Sequence, residues 1–464
     1  MQTIEANTRE AYNLFHEGTL VLSKAEQAGL RIDMKYCKKK KKELSKLIEQ
    51  KEKEIYSSKF YKDWSRTTKE SPNIYSGTQL GKYLYKVKGL KPPHKTKSGG
   101  GATDEEALKQ LKIKELQLIL EAKKLKKIRD TYLEAFTREA VDGFIHPSFN
   151  LNFVKTFRSS SQNPNFQNIP KRDKEAMKIV RDALFARKGN LLMEVDYSSI
   201  EVRVAACYHQ DPTMLKYLRD PSSDMHGDMA EKIFLLKMDK SKPELSLLRS
   251  ATKNGFVFPQ FYGDYYGNNA VSLAKHWCGI PSGKWKKGKG VLLPGGKHIT
   301  DHLIEQGIKG MNEFTDHLKH IEAHFWKERF PVYGKWRDSH WAFYQKNGYI
   351  NSLTGFTYSG LMSRNEVINF PVQGSAFHCL LWSMVRIDKI LRKNRLQSRI
   401  IGQIHDAIVF DIFPAEQNEV IKIARKVMID DLMEHYPWII VPMDVEVEVT
   451  EPDQPWSTIH GIKA

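Results

Sequence analysis

The runs Leu191-Leu192-Met193-Glu194-Val195-Asp196 and Ile400-Ile401-Gly402-Gln403-Ile404-His405-Asp406 decide how this chain is read. Each is a short apolar stretch closed by an aspartate, the pattern of a core strand whose last residue reaches the rim of a sheet. A second apolar run, Ala407-Ile408-Val409-Phe410, follows Asp406 directly, so His405 and Asp406 are expected at the tip of a hairpin. Carboxylates at the rim of a buried sheet can hold Mg²⁺. An aspartate at a strand end can equally be a turn former or a helix cap, and the residues around each one must decide.

Composition sets wide bounds. The 464 residues are enough for two to four cores or one multi-lobed enzyme. With 73 Lys+Arg against 55 Asp+Glu, the formal charge is +18 and the pI about 9.4. That balance favours a polyanionic partner, nucleic acid or an anionic membrane face. There is no run of about eighteen apolar residues and no basic-then-apolar leader, so membrane insertion is not expected. Cys37, Cys207, Cys278 and Cys379 are widely spaced and form no CxxC, which suggests neither a zinc knuckle nor a disulfide framework. A reducing cytoplasm fits best.

The surroundings of the two aspartates are specific. Asp196 opens Asp196-Tyr197-Ser198-Ser199-Ile200-Glu201-Val202-Arg203, and Asp406 lies in Gln403-Ile404-His405-Asp406-Ala407. Upstream stand Arg158-Ser159-Ser160 and Asn163-Pro164-Asn165-Phe166-Gln167-Asn168-Ile169-Pro170. Arg249-x-x-x-Lys253 precedes Phe261-Tyr262-Gly263, and Asn369-Phe370-Pro371-Val372-Gln373-Gly374 comes later. Together these motifs resemble the palm and fingers of the family A DNA polymerases, the bacterial polymerase I type, in the family's order from about position 145 to the C-terminus.

The resemblance implies an α+β fold with right-hand polymerase architecture: an antiparallel-sheet palm, a helical thumb and helical fingers. The expected organisation is 1–34 packing on the palm, 35–145 thumb, 146–220 first part of the palm, 221–350 fingers, and 351–464 second part of the palm. The stretch Leu20 to Asp33 resembles the start of the polymerase part of these enzymes, so no 3′–5′ proofreading domain is expected in this chain. From Lys35 to about Ile55, Lys and Glu alternate with leucine and isoleucine at helical spacing. That is a solvated helix face or, by resemblance, a thumb gripping duplex backbone. His94 to Gly101 reads as a flexible basic loop, and Thr103-Asp104-Glu105-Glu106 starts a helix with acids in its first turn.

Phosphoryl transfer by two metals needs bridging carboxylates, the ions lying about 3.5–4 Å apart. Asp196 and Asp406 are the candidates, and the resemblance adds the backbone carbonyl of Tyr197. Hard oxygen donors point to two Mg²⁺ ions, with Mn²⁺ as a substitute. The family usually has an acid after the hairpin aspartate, and here that position is Ala407; Asp411 lies farther along the strand and reads as a surface residue.

Arg249 and Lys253 are four apart and share a helix face, where they can present two cations to a triphosphate. The resemblance casts Lys253, with Asp196 and Asp406, as catalytic, and His226 as touching the same phosphates. Ser198-x-x-Glu201 can be a capping box; in the family this glutamate lies under the incoming sugar and selects dNTP over rNTP, the preferred reading. Counting back from Tyr262 puts the nucleoside-stacking ring at Phe258, with Phe256 in reserve. Counting forward from Lys253 reaches Val257 instead, so one residue has been added. With Pro259 next in line, a kink or bulge is expected in this helix, and Tyr262 should sit beside the templating base. Arg158, Gln373, Asn369 and His405 carry over as primer and template contacts. The family's arginine four residues before Asn369 is Asn365 here, with Arg364 one place off, and Phe356 stands where the family usually has arginine. Pro371 is placed in a first helical turn, with Phe377, Leu380, Met384, Ile387 and Leu391 on the buried face and Gln373 at the open end.

Between about 264 and 310 the pattern is lost and an insertion is expected. Its Lys284-Trp285-Lys286-Lys287-Gly288-Lys289-Gly290 centre either contacts single-stranded template by charge and stacking or is a solvated loop. The expected function is DNA replication: template-directed addition of dNMPs to a primer 3′-end by a monomer, with primer–template DNA and dNTPs as partners. A separate exonuclease or processivity subunit would complete it, and the divergent fingers suggest a phage enzyme. Two other readings stand beside this one. A single-subunit RNA polymerase has a related palm, and Glu201 argues against it. A non-catalytic nucleic-acid-binding replication protein is suggested by Ala407 and Pro259, and primer extension distinguishes it.

Overall fold

Strand residues 191–197 are nearly all buried, which requires cover on both faces of the sheet they form. The computed structural model describes residues 4–68, 71–96, 99–171, 173–239, 241–280 and 283–462. In chain order its main elements are α1 (Thr8–Ala28), α2 (Met34–Ser57), α3 (Lys114–Lys127), β1 (Leu191–Tyr197), α4 (Ile200–His209), α5 (Met225–Phe234), α6 (Pro243–Thr252), α7 (Met311–His324), α8 (Pro331–Asn347), α9 (Arg364–Lys393), β2 (Arg399–Ile404), β3 (Ala407–Ile412), β4 (Val445–Val449) and β5 (His460–Gly461). The five strands form one antiparallel sheet in the order β5-β4-β1-β3-β2. The fold is mixed α+β, as expected.

One face of the sheet is covered by α9, whose Phe377, Leu380, Met384, Ile387 and Leu391 are all buried, as their spacing predicts. On β2 the Phe166 ring lies so close to Gly402 that a Cβ there would meet its Cε1 at 2.5 Å, and Phe166 in turn packs on Trp456. Helix α1 packs against both β2 and α9. The chain then turns through Leu30–Ile32, which pairs with Ile145 on one side and Leu184–Phe185 on the other.

A second core lies apart from the first. Ile55, Trp64, Ile74, Leu80, Tyr83, Leu84, Leu108, Leu116 and Ile119 pack together, making a helical body at the far end of α2 and α3. Helix α2 starts on Asp33, which accepts from the Tyr36 amide, and it buries Cys37, Leu44, Ile48 and Ile55. The expected helix start at Thr103 is also present, with Asp104 capping Ala107. Within the expected basic loop, Lys97 and Ser98 lie outside the described residues.

Three readings need correction. Pro371 is inside α9, not in its first turn, because Ser363 and Glu366 form a capping box that starts the helix earlier at Arg364; Gln373 therefore lies well within the helix and not at an open end. Asp411 is not a surface residue: it is buried at 2 % exposure and accepts from the Arg187 amide and the Asn190 side chain. Trp285 is 7 % exposed and packs on Phe314, so its ring is unavailable for stacking on a template. Phe356, likewise, is a core residue stacked on His378. Among the described residues, no helix is long and apolar enough to cross a membrane.

Candidate active site

The hairpin expected around Asp406 is formed by β2 and β3, with Ile404 and Ala407 paired across a two-residue turn. His405 takes a φ of 51°, a left-handed conformation in which histidine is over-represented. The turn carries Asp406 to the end of β1, where the Tyr197 amide donates to the Asp406 carbonyl at 3.2 Å. Asp196 pairs across the sheet with Ala407 on one flank and Glu446 on the other. The two aspartates thus meet at one end of the sheet's central strands.

Three separate motifs hold the hairpin tip. Ser159 Oγ donates to Gln403 Oε1 at 2.7 Å, and Gln167 Nε2 donates to both at the same distance. Gln403 Nε2 donates in turn to the His405 carbonyl. Gln403 and Ser159 are almost fully buried, where a satisfied network orients its members strongly. This scaffolding role for Ser159, Gln167 and Gln403 could not be assigned from the sequence; only their presence within motifs marked them.

Both aspartates are raised above the ordinary aspartate value. Burial pushes Asp406 up to about 7, with the Glu201 and Asp196 charges adding to the rise and Arg158 opposing it. Burial raises Asp196 too, reinforced by Glu194 and Glu446 and opposed by Lys171. Crowded anions of this kind disfavour ionisation until a cation arrives. Among the described residues no group of three or more His, Cys, Asp or Glu is arranged to hold a metal. The donors at this end are two aspartates and backbone carbonyls. No acid stands at Ala407, and Glu446 flanks Asp196 from the opposite strand.

Glu201 caps nothing. The residue before α4 is Ser199, with a φ of 56° and no side-chain cap, so the capping box is absent. The Glu201 carboxylate instead pairs with Arg158 and accepts from the Tyr262 hydroxyl. Arg158 Nε also donates to the Gln373 carbonyl at 3.3 Å, and Asn369 Nδ2 donates to the Tyr262 carbonyl at 3.1 Å. Arg158, Glu201, Tyr262, Asn369 and Gln373 are therefore one connected group beside Asp406. Asn365 reaches the same turn through the Gly263 carbonyl at 3.4 Å, while Arg364 turns away to Asp338.

The added residue near Phe258 is accommodated by a change of helix type. After α6, Lys253–Val257 form a π-helical turn, and the Phe258 amide bonds back five residues to Lys253. A π turn takes up one residue more than an α turn, and Pro259, which has no amide hydrogen, follows at once. The consequence is a division of faces: Phe256 and Val257 are fully buried, Phe256 against Phe325, whereas Phe258 is half-buried with Lys253 Nζ 5.2 Å above its ring and His226 edge-on. Phe258, and not Phe256, faces the cations.

Arg249 is held by Asp224, whose two carboxylate oxygens accept from its Nε at 3.0 and 2.8 Å. Asp224 also caps α5, the helix bearing His226, so His226, Arg249, Lys253 and Phe258 are brought together. Burial pushes His226 down to about 4, with the Arg249 and Lys253 charges contributing, and its buried Nδ1 has no hydrogen-bond partner. At neutral pH it is an uncharged donor beside two cations.

Comparison with known proteins agrees with this geometry. The model for "DNA polymerase family A" matches residues 34–286 and 319–455, leaving 287–318 unmatched, a stretch that overlaps the second half of the expected insertion and runs past its end. DNA polymerase I of Chloroflexus aurantiacus is 28% identical over 457 residues, covering 92% of this chain and 41% of that protein. DNA polymerase I of Bacillus subtilis is 26% identical over 434 residues, covering 92% of this chain and 44% of the relative. The chain thus spans about two fifths of the length of such relatives. Among solved structures, the polymerase domain of Pol1 from M. smegmatis, in complex with DNA primer-template and dNTP, superposes with a TM-score of 0.73 at 24% identity, covering 95% of this chain and 70% of that one.

Proposed function

The chain belongs to DNA polymerase family A, and we propose that it extends a primer 3′-end with dNMPs under the direction of a DNA template. The observation that carries this reading is the convergence of Asp196 and Asp406 at one end of the sheet's central strands, joined by the Tyr197 amide on the Asp406 carbonyl. Family A polymerases are in general dependent on divalent metal. Crowded carboxylates with raised pKa values and hard oxygen donors fit such a cation, Mg²⁺ or Mn²⁺. Asp196, Asp406 and the Tyr197 carbonyl are the residues that would hold it. When bound, the cations acidify the primer hydroxyl and offset the charge of the triphosphate.

The remaining roles belong to the chain itself. Arg249 and Lys253 supply positive charge to the triphosphate, Arg249 keeping its terminal nitrogens free of the Asp224 contact made by Nε. Neutral His226 adds a hydrogen bond without adding charge. Phe258 stacks on the incoming base. Glu201, anchored by Arg158 rather than spent on a helix cap, lies where it blocks a ribose 2′-hydroxyl, which favours dNTP over rNTP. Tyr262 occupies the templating position until the template base displaces it and breaks its bond to Glu201. Arg158 and Gln373 test the minor-groove acceptors that every base pair presents, so they read pairing geometry and not sequence; Asn369 and His405 line the same strand. In this reading residues 35–145 are the thumb, 221–350 the fingers, and the sheet with its flanking helices the palm. Four free, buried thiols suit a reducing cytoplasm.

Extension of a labelled primer on a defined template is the direct test. Asp406→Ala should reduce the rate on the order of a thousandfold, the worth of several kcal/mol of lost charge stabilisation, while primer–template binding persists. Wild-type protein that binds primer–template and never extends it would overturn the proposal.

A further inference from the structure

Lys171 follows Asn168-Ile169-Pro170 and has no part in the chemistry described so far. Its ammonium lies 3.2 Å from Glu194 Oε2, 3.5 Å from Asp196 Oδ2 and 3.6 Å from Glu448 Oε2. Glu194 and Asp196 are successive residues on the same face of β1, and Glu448 is the cross-strand partner of Glu194 on β4. Glu194 is fixed: its other oxygen accepts from Arg181 at 2.7 Å and from the Trp456 indole at 2.5 Å. Arg181 also donates to the Pro170 carbonyl at 3.1 Å, which pins the backbone just before Lys171. The lysine side chain remains 47% exposed, so its base is anchored and its charged end can move.

We propose that Lys171 is a positioning residue of the metal site, a tethered cation that holds Asp196 in place and yields it to the divalent cation by moving onto Glu194 and Glu448. The inference rests on the reading of Asp196 as a metal ligand. Among the described residues, three carboxylates face two cations, the buried Arg181 and the exposed Lys171, and of these two it is Lys171 that has room to exchange partners. Its charge at this distance opposes metal entry, so it sets the cation concentration at which the site fills.

Mn²⁺ binding to the full chain, without DNA or nucleotide, measured by electron paramagnetic resonance, tests this directly. Lys171→Met should bind Mn²⁺ about tenfold more tightly, the factor expected when a unit charge some 6 Å from a divalent ion is removed even at a water-like dielectric. Lys171→Arg should behave as wild type, and Lys171→Gln serves as the second neutral variant should the methionine form fold poorly. Asp196→Asn should lose the site, and with it the effect of Lys171→Met. Unchanged or weaker Mn²⁺ affinity in the neutral variants, with Asp196→Asn still losing the site, overturns the inference alone. Full Mn²⁺ affinity in Asp196→Asn overturns the reading beneath it as well.

Discussion

Asp406 is the residue at which electrostatics has the clearest consequence for the whole protein. Its pKa near 7 lies well above that of an aspartate in an unfolded chain, about 3.9, so the folded state holds this proton more tightly. The stability it contributes is therefore complete below about pH 4 and is lost as pH rises through 7. A divalent cation stabilises the ionised carboxylate against the burial and the neighbouring charges that raise the pKa. Thermal melting with and without Mg²⁺ should accordingly show a larger stabilisation by metal at pH 8 than at pH 5.5; equal shifts at both would mean that the cation binds elsewhere. Glu201 offers a second test at this scale. Truncating Glu201→Ala should lower discrimination between dCTP and rCTP by roughly tenfold to a hundredfold, the range for a pocket that excludes one small group. Single-nucleotide incorporation kinetics measure it, and unchanged discrimination would return Glu201 to a purely structural role with Arg158.

At the scale of one element, the π turn at Lys253–Val257 separates two phenylalanines that the sequence could only rank, Phe258 first and Phe256 in reserve. Phe256 is fully buried against Phe325, so Phe256→Ala should destabilise the fold by about 3–5 kcal/mol, visible in denaturant unfolding. Phe258→Ala should instead leave stability nearly unaltered and raise the KM for dNTP by about tenfold, since a stacked base is worth about 1–3 kcal/mol. The opposite assignment of effects would show that the helix is regular in solution. Counting from two fixed points, Lys253 and Tyr262, exposed the extra residue in the sequence. How the helix absorbed it was not legible, because a kink, a bulge and a π turn use the same residues and differ only in which carbonyl each amide finds.

Across the whole molecule, a formal charge of +18 and a separately cored helical body at the end of α2 and α3 favour a protein that grips duplex backbone. Primer–template affinity should fall linearly with the logarithm of salt concentration, with a slope of roughly −5 if about half a dozen phosphates are neutralised; a flat titration would rule out a basic cleft. Read alone, the sequence determined the strand ends that carry Asp196 and Asp406, the helix spacing of Arg249 and Lys253, and the buried face of α9, because each is a local periodicity or a short motif. Only the tertiary structure decided that Ser159, Gln167 and Gln403 brace the hairpin, that Glu201 binds Arg158 and Tyr262 instead of capping its helix, that Trp285 is core, and that Lys171 stands over Asp196. Each of those is a contact between segments far apart in the chain, and side chains with several possible partners choose among them only when packing excludes the others.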